Sequence, residues 1–134
     1  MARLGTVAKD GPPHLVPICF LLQGDILWSA IDQKPKRGVR LRRLQNLEQD
    51  PHVSILIDSY EEDWSRLWWI RLEGTARIID GQEKEGKLGL QLLSGKYPQY
   101  RQNPPPGPLI RAEIERWTVW EWGAGGAPEE RPRR

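Results

Sequence analysis

The sequence predicts a small antiparallel β-barrel, a mainly β fold with two short helices inserted between strands. Three observations carry this expectation. Apolar stretches rich in branched residues are short and are separated by turn-forming residues at Lys9-Asp10-Gly11 and Gln23-Gly24-Asp25. Two later segments change from strand-like alternation to helical spacing. The 134 residues suit one core, and 12 prolines with 13 glycines fit a fold rich in turns.

Taken in order, residues 3–8, 14–22 and 25–31 read as a meander of strands. Pro17 has no amide hydrogen, so its strand belongs at an edge or carries a bulge, which would help to bend a small barrel. Over residues 36–49, Leu41, Leu44 and Leu47 recur every three residues, while Lys36, Arg40 and Arg43 recur at four and three. That spacing predicts a short amphipathic helix with a basic face. Asp50-Pro51 ends it, because the residue before a proline avoids the helical region. Residues 53–58 form another strand, followed by an acidic loop with Glu61, Glu62 and Asp63. Residues 66–80 form one long strand or a bent pair, with Gly74 at the bend. Over 82–93, Leu88, Leu92 and Leu93 lie at helical spacing, although Gly86 and Gly89 each weaken a helix by about 1 kcal/mol relative to alanine. A proline-rich connector over 103–108 leads to strands at 109–114 and 117–122. The barrel thus spans 2–122 as one domain. Residues 123–134 contain glycine, proline and charge but no apolar side chain larger than alanine, and are expected to be disordered.

Composition removes several classes of function. The longest uncharged apolar run, residues 15–22, contains a proline and is far too short to cross a bilayer, and no signal-peptide core precedes it. The expectation is a soluble cytoplasmic protein. Cys19 is the single cysteine, which excludes an internal disulfide and a multi-cysteine metal site, and no metal is expected. Cys19 reads as core, and His14 and His52 as surface or packing residues. Ser29, Ser54, Ser59, Ser65 and Ser94 lack a nucleophile-elbow context, and neither a phosphate-binding glycine loop nor a dinucleotide fingerprint occurs. Hydrolase and nucleotide-kinase chemistry are therefore unsupported, and an enzymatic role would rest on a bound cofactor.

Two features point to what that ligand could be. The net charge is only +2, yet Lys34, Lys36, Arg37, Arg40, Arg42 and Arg43 follow one another with no acid between them, leaving 14 basic residues against 18 acidic ones elsewhere. Such a face can hold phosphate through arginine forks and the N–H groups of a helix start, or can simply be solvated. The lack of an acid partner before Glu48 favours phosphate. The second feature is the set of seven tryptophans. Trp68 and Trp69 are adjacent in a strand and point to opposite faces, so one ring must lie outside the barrel, against a partner subunit or a flat ligand.

These residues also carry a family resemblance. Arg3-Leu4-Gly5-Thr6-Val7, with Asp10-Gly11-Pro12-Pro13-His14-Leu15-Val16-Pro17, resembles the opening hairpin of the pyridoxamine 5′-phosphate oxidase-like split-barrel flavoproteins. Lys34-Pro35-Lys36-Arg37, Leu41-Arg42-Arg43-Leu44-Gln45-Asn46, Asp50-Pro51 and Asp63-Trp64-Ser65-Arg66-Leu67-Trp68-Trp69 resemble the F420-dependent oxidoreductases of that class. The likeness covers nearly all of residues 2–122.

The resemblance implies a homodimeric split β-barrel with a flavin or deazaflavin in a groove between subunits. Its phosphate would be held by Lys36, Arg37, Arg40 and Arg43, with Asn46 near the helix end. Its ring would lie against Val16, Pro17 and Ile18, near Ser29, and against the partner's tryptophan-rich strand bearing Trp68 and Trp69. Family members usually carry a helix before the first strand. Here the chain begins almost at that strand, so a pocket wall is expected to be missing.

The implied activity is hydride transfer from reduced coenzyme F420 to an unsaturated or quinone-like small molecule. The proton would come from Ser65, Tyr60 or solvent, and no catalytic side chain is assigned. The alternative within the class is an FMN-dependent flavoprotein. Outside it stand a non-catalytic tetrapyrrole carrier and a single-stranded nucleic-acid binding module using the basic helix and exposed aromatics. Localised basic residues on a nearly neutral chain argue against nucleic acid.

Overall fold

Gly11 (φ 110°) and Gly24 (φ 60°) occupy backbone conformations that side chains rarely adopt, and each turns a hairpin. The first hairpin joins β1 (Ala2–Val7) to β2 (Pro13–Ile18), and the second joins β3 (Leu21–Gln23) to β4 (Ile26–Ala30). The computed structural model describes residues 1–32 and 41–132. Beyond the hairpins come α1 (Arg42–Gln49), β5 (His52–Ser59), β6 (Trp68–Ile79), α2 (Lys84–Lys96), α3 (Pro98–Gln102), β7 (Leu109–Glu121) and β8 (Glu129–Pro132). None of the described helices is long and apolar enough to cross a membrane.

All strand pairs are antiparallel, in the order β2-β1-β5-β6-β7-β4-β3, with β8 added to β7. The two ends of that order, β2 and β3, are consecutive in the chain and linked only by Cys19 and Phe20. The sheet therefore curls back on itself into a barrel split between its edge strands. Pro17 lies on an edge strand, as its missing amide requires. The corner is clasped from outside by α2. The Tyr97 hydroxyl accepts from the Phe20 amide at 3.0 Å and donates to the Phe20 carbonyl at 2.9 Å. Lys96 donates to the same carbonyl at 2.6 Å and lies 3.8 Å over the Phe20 ring. These contacts satisfy backbone groups that no neighbouring strand reaches.

Alternate residues of each strand build the core: Ala2 and Leu4 of β1, Ile55 of β5, Leu72 of β6, and Ala112 and Ile114 of β7 are all buried. A second cluster around Trp28, Leu93 and Leu109 packs beneath α2. The glycines that lower the helix propensity of α2 have a packing role there. A Cβ on Gly89 would lie 2.5 Å from the Trp28 ring, and one on Gly86 would lie 2.0 Å from the Asp80 carbonyl oxygen.

The structure departs from sequence expectation at four places. Residues 14–22 are two strands, because Cys19 and Phe20 turn the corner between sheet edges. Residues 109–121 are one strand, bulged where Glu73 pairs with Arg116 and Gly74 with Ile114, which leaves Glu115 as the extra residue. Leu41 is extended (φ −58°, ψ 144°), so the basic helix begins at Arg42, not at Lys36. In the tail, expected to be disordered, β8 pairs Arg131 with Trp117 and Glu130 with Thr118. The reason is an open edge: β4 pairs with β7 only as far as Glu113, and β8 takes up the ladder positions beyond it. An Arg116 Nε to Glu130 contact of 2.8 Å adds to that pairing.

Candidate functional site

In β2, the residues opposite inward-facing Ala2, Leu4 and Thr6 of β1 are Ile18, Val16 and His14. This parity directs His14, Val16 and Ile18 toward the barrel interior near its split. There they line a cavity of about 550 Å³, completed by Ser29 and Ala30 of β4, Leu41 to Arg43 at the start of α1, and Tyr100 of α3. Its size falls within the range of small-molecule and cofactor sites.

The polar lining is unevenly satisfied. Among the described residues, two buried side-chain polar atoms lack a hydrogen-bond partner, Arg43 Nε and His14 Nδ1, and both belong to this cavity. Burial lowers the pKa of the Arg43 guanidinium from its ordinary value, and the nearby Asp32 charge opposes that shift. The Tyr100 phenol is pushed well above its ordinary range, chiefly by burial and then by Cys19 and Asp32. It therefore stays neutral. Buried polar atoms without partners cost stability unless a ligand satisfies them, and Arg43 Nε, which can only donate, suits an anionic group.

A larger cavity of about 640 Å³ lies on the outer sheet face between Glu73, Gly74, Arg116 and Glu130. Glu73, Arg116 and Glu130 are engaged in ion pairs. Arg116 pairs with Glu130 at 2.8 Å and with Glu73 at 3.6 Å, and Arg71 pairs with Glu73 at 3.2 Å. The smaller cavity, with its unpartnered polar atoms, is the better candidate site.

Of the residues singled out from sequence, the cavity brings together Val16, Pro17, Ile18, Ser29 and Arg43. Lys36, Arg37 and Arg40 lie outside the described residues. Asn46 is buried and donates from Nδ2 to Thr6 Oγ1 at 3.0 Å, so this amide fastens α1 to β1. Trp68 and Trp69 stand away from the cavity within one chain. Trp68 is exposed, while Trp69 stacks on Trp120, with ring centroids 6.4 Å apart, and carries Arg71 over its face. Neither ring enters the core, because this end of β6 runs past it. Ser65 lies within the short 3₁₀ turn at Trp64–Arg66, which Asp63 caps: Asp63 Oδ1 accepts from the Ser65 hydroxyl at 2.6 Å and from its amide at 3.1 Å. Cys19, expected in the core, is half-buried and lines the cavity, because it sits at the corner leaving β2. The sequence reading missed His14 and Tyr100. Counting strand parity from the buried residues of β1 would have found His14; no sequence signal marked Tyr100.

Residues 1–121 match the sequence profile of pyridoxamine 5′-phosphate oxidase. The chain belongs to that family. No curated protein matches the sequence significantly. Three solved structures share the fold of this chain. A heme binding protein from Mycobacterium smegmatis superposes with a TM-score of 0.71 at 18% identity, covering 98% of this chain and 52% of that one. This chain thus spans about half the length of that protein. HutZ, a heme storage protein from Vibrio cholerae, gives 0.69 at 17% identity, covering 85% and 80%. A FAD-binding protein from Mesorhizobium loti gives 0.65 at 18% identity, covering 88% and 83%. Proteins described as heme-binding, heme-storing and FAD-binding thus share this chain's fold.

Proposed function

We propose that the protein is a cytoplasmic oxidoreductase that holds reduced coenzyme F420, or FMN as the alternative, in the cavity between β2, β4 and α1. The observation that carries this reading is the half-buried Arg43, whose Nε lacks a partner, at a cavity walled by Val16, Pro17 and Ile18. An arginine that has already lost much of its hydration is suited to a phosphate, whose oxygens match its fork. The apolar β2 wall and Ser29 suit one face of a flat ring. A reduced deazaflavin held there would supply the hydride for an unsaturated or quinone-like acceptor. The chain's own residues position the ring, exclude water and anchor the phosphate. The remaining basic residues of the run, Lys36, Arg37 and Arg40, precede α1 and would add to the same anion field.

Titration of the purified protein with F420 and with FMN, followed by fluorescence quenching, tests the reading. Saturable binding with F420 tighter is expected; tighter FMN binding selects the flavin alternative, and no binding of either defeats the proposal. The fold's heme-binding members favour one second reading, a tetrapyrrole carrier, because His14 and Cys19, two residue types that ligate heme iron, line the cavity. A Soret band on hemin addition, displaced by neither F420 nor FMN, would select it.

The reading includes a homodimer with the cofactor groove between subunits. It is supported by Tyr60, Trp64, Trp68 and Trp122, large side chains exposed in the single chain near one end of β6 and β7. Burying such rings against a second copy gains a few kcal/mol each. Sedimentation at micromolar concentration should show a dimer, whose interface at the obligate scale buries at least roughly 2,000 Å². A clean monomer that binds F420 or FMN tightly would overturn the shared groove.

A further inference from the structure

The link between the two edges of the split barrel, Cys19 and Phe20, lies between the last ladder pair of β2, Ile18 with Ala2, and the first of β3, Leu21 with Trp28. No ladder holds this corner, and its place is set by side chains from the junction of α2 and α3. We propose that Tyr97 and Lys96 are positioning residues of the cofactor cavity: by latching Phe20 from outside the barrel, they hold the wall at Ile18 and Cys19 against Tyr100 and so set the fit of a ligand that neither of them touches.

One side chain reaches both parts of that wall. The Tyr97 hydroxyl accepts from the Phe20 amide and donates to the Phe20 carbonyl, immediately beside Cys19, which lines the cavity. The Tyr97 ring meets that of Tyr100, with centroids 5.5 Å apart and planes tilted by 55°, and Tyr100 is a second lining residue. A hydrogen bond joins the Cys19 and Tyr100 side chains, so the corner and α3 meet at the cavity itself. Lys96 donates a further bond to the Phe20 carbonyl, and its ammonium lies 3.8 Å over the Phe20 ring and 5.2 Å over the Tyr97 ring. Neither Lys96 nor Tyr97 lines the cavity. Tyr97 is at once the residue that ends α2 and the one that starts α3, so what fixes it also fixes Tyr100 on the short helix that follows. Without its hydroxyl, the Phe20 amide has no partner and must turn to water, which draws the corner, and Cys19 with it, away from Tyr100.

The inference rests on the proposed cofactor reading, yet Cys19, the single cysteine, lets the latch be read with no cofactor present. The rate at which Cys19 of the folded, ligand-free protein reacts with an aromatic disulfide reagent follows how often the corner opens. Tyr97→Phe should raise that rate by about tenfold, the scale of the hydrogen bonding lost. It should also raise the dissociation constant for F420 or FMN, whichever the wild type binds, by at least about threefold, since the competent form of the cavity is less populated. Lys96→Met should act in the same direction but less, because that side chain is exposed, and Lys96→Arg should restore wild-type values by keeping a cationic donor. Ile55→Val, a truncation in the core away from the corner, should lower the thermal midpoint without raising the thiol rate. A Tyr97→Phe variant that is less stable but unchanged in thiol rate, or faster in thiol rate but unchanged in cofactor affinity, would make the clasp purely structural and overturn the proposal. Should Tyr97→Phe fail to fold, the two Lys96 variants decide by the same readouts. Wild-type protein that binds neither cofactor would instead remove the oxidoreductase reading, with the thiol rate still deciding whether the latch holds the cavity wall.

Discussion

Gly74→Ala should destabilise the protein by at least about 3 kcal/mol, at the upper end of what overpacking costs. The position is ordinary in its own backbone conformation, and the conflict lies across the ladder. A Cβ there would be 2.0 Å from the Glu113 carbonyl oxygen, 2.9 Å from its carbon and 3.0 Å from the Ile114 Cα. All three are backbone atoms of β7, at the point where the bulge at Glu115 brings the two strands together. A flexible side chain could swing aside, whereas backbone can move only by shifting the β6–β7 register, which runs from Trp68 to Ile79. Gly5 is the internal comparison. Its Cβ would meet Leu15 Cδ2 and the Ser54 carbonyl oxygen at 3.3 Å, so a displacement of a few tenths of an ångström accommodates it. Urea denaturation should therefore show a large fall in midpoint for Gly74→Ala at unchanged slope, and a change of at most about 1 kcal/mol for Gly5→Ala. Equal, small effects would mean that the bulge is not held by this close approach.

The same residue shows what was legible in the sequence. A glycine inside a long branched stretch signals a bend, and Gly74 lies at one, because only its missing side chain permits that approach. Pro17 placed its strand at an edge for an equally local reason. Features set by distant contacts were not legible. Gly86 and Gly89 read only as weak helix positions, since nothing nearby in sequence reveals that Asp80 and Trp28 press against them. The family resemblance made Asn46 a ligand residue, yet its partner Thr6 is 40 positions away. Leu41 fits the leucine spacing of a helix that it in fact precedes, and β8 forms because β4 leaves part of the β7 edge open. At the candidate cavity, charge singled out Arg43, and the family resemblance singled out Val16, Pro17 and Ile18 of β2. His14 was not recognised, because a histidine after two prolines looks like a surface turn until its parity against Thr6 is fixed.

Arg43→Ala should weaken F420 or FMN binding by about 1.5–3 kcal/mol while leaving the ligand-free protein as stable as before, or slightly more so. The two signs follow from one observation. In the ligand-free chain, Arg43 Nε is buried without a partner, and burial disfavours its charge while Asp32 offsets only part of that. Deleting such a group removes an unmet desolvation cost, so the folded state without ligand loses little. With ligand, the same deletion removes the phosphate's fork, and a dissociation constant higher by about tenfold to a hundredfold follows. Thermal melts with and without cofactor separate the two effects. The ligand-free midpoint should hold or rise, and the increase produced by saturating cofactor should shrink in step with the lost affinity. Arg43→Lys should recover only part of the binding, because a single ammonium replaces a planar fork. A variant with a lowered ligand-free midpoint and unchanged cofactor affinity would make Arg43 a packing residue of α1. It would also move the anion site to residues of the basic run that precede that helix.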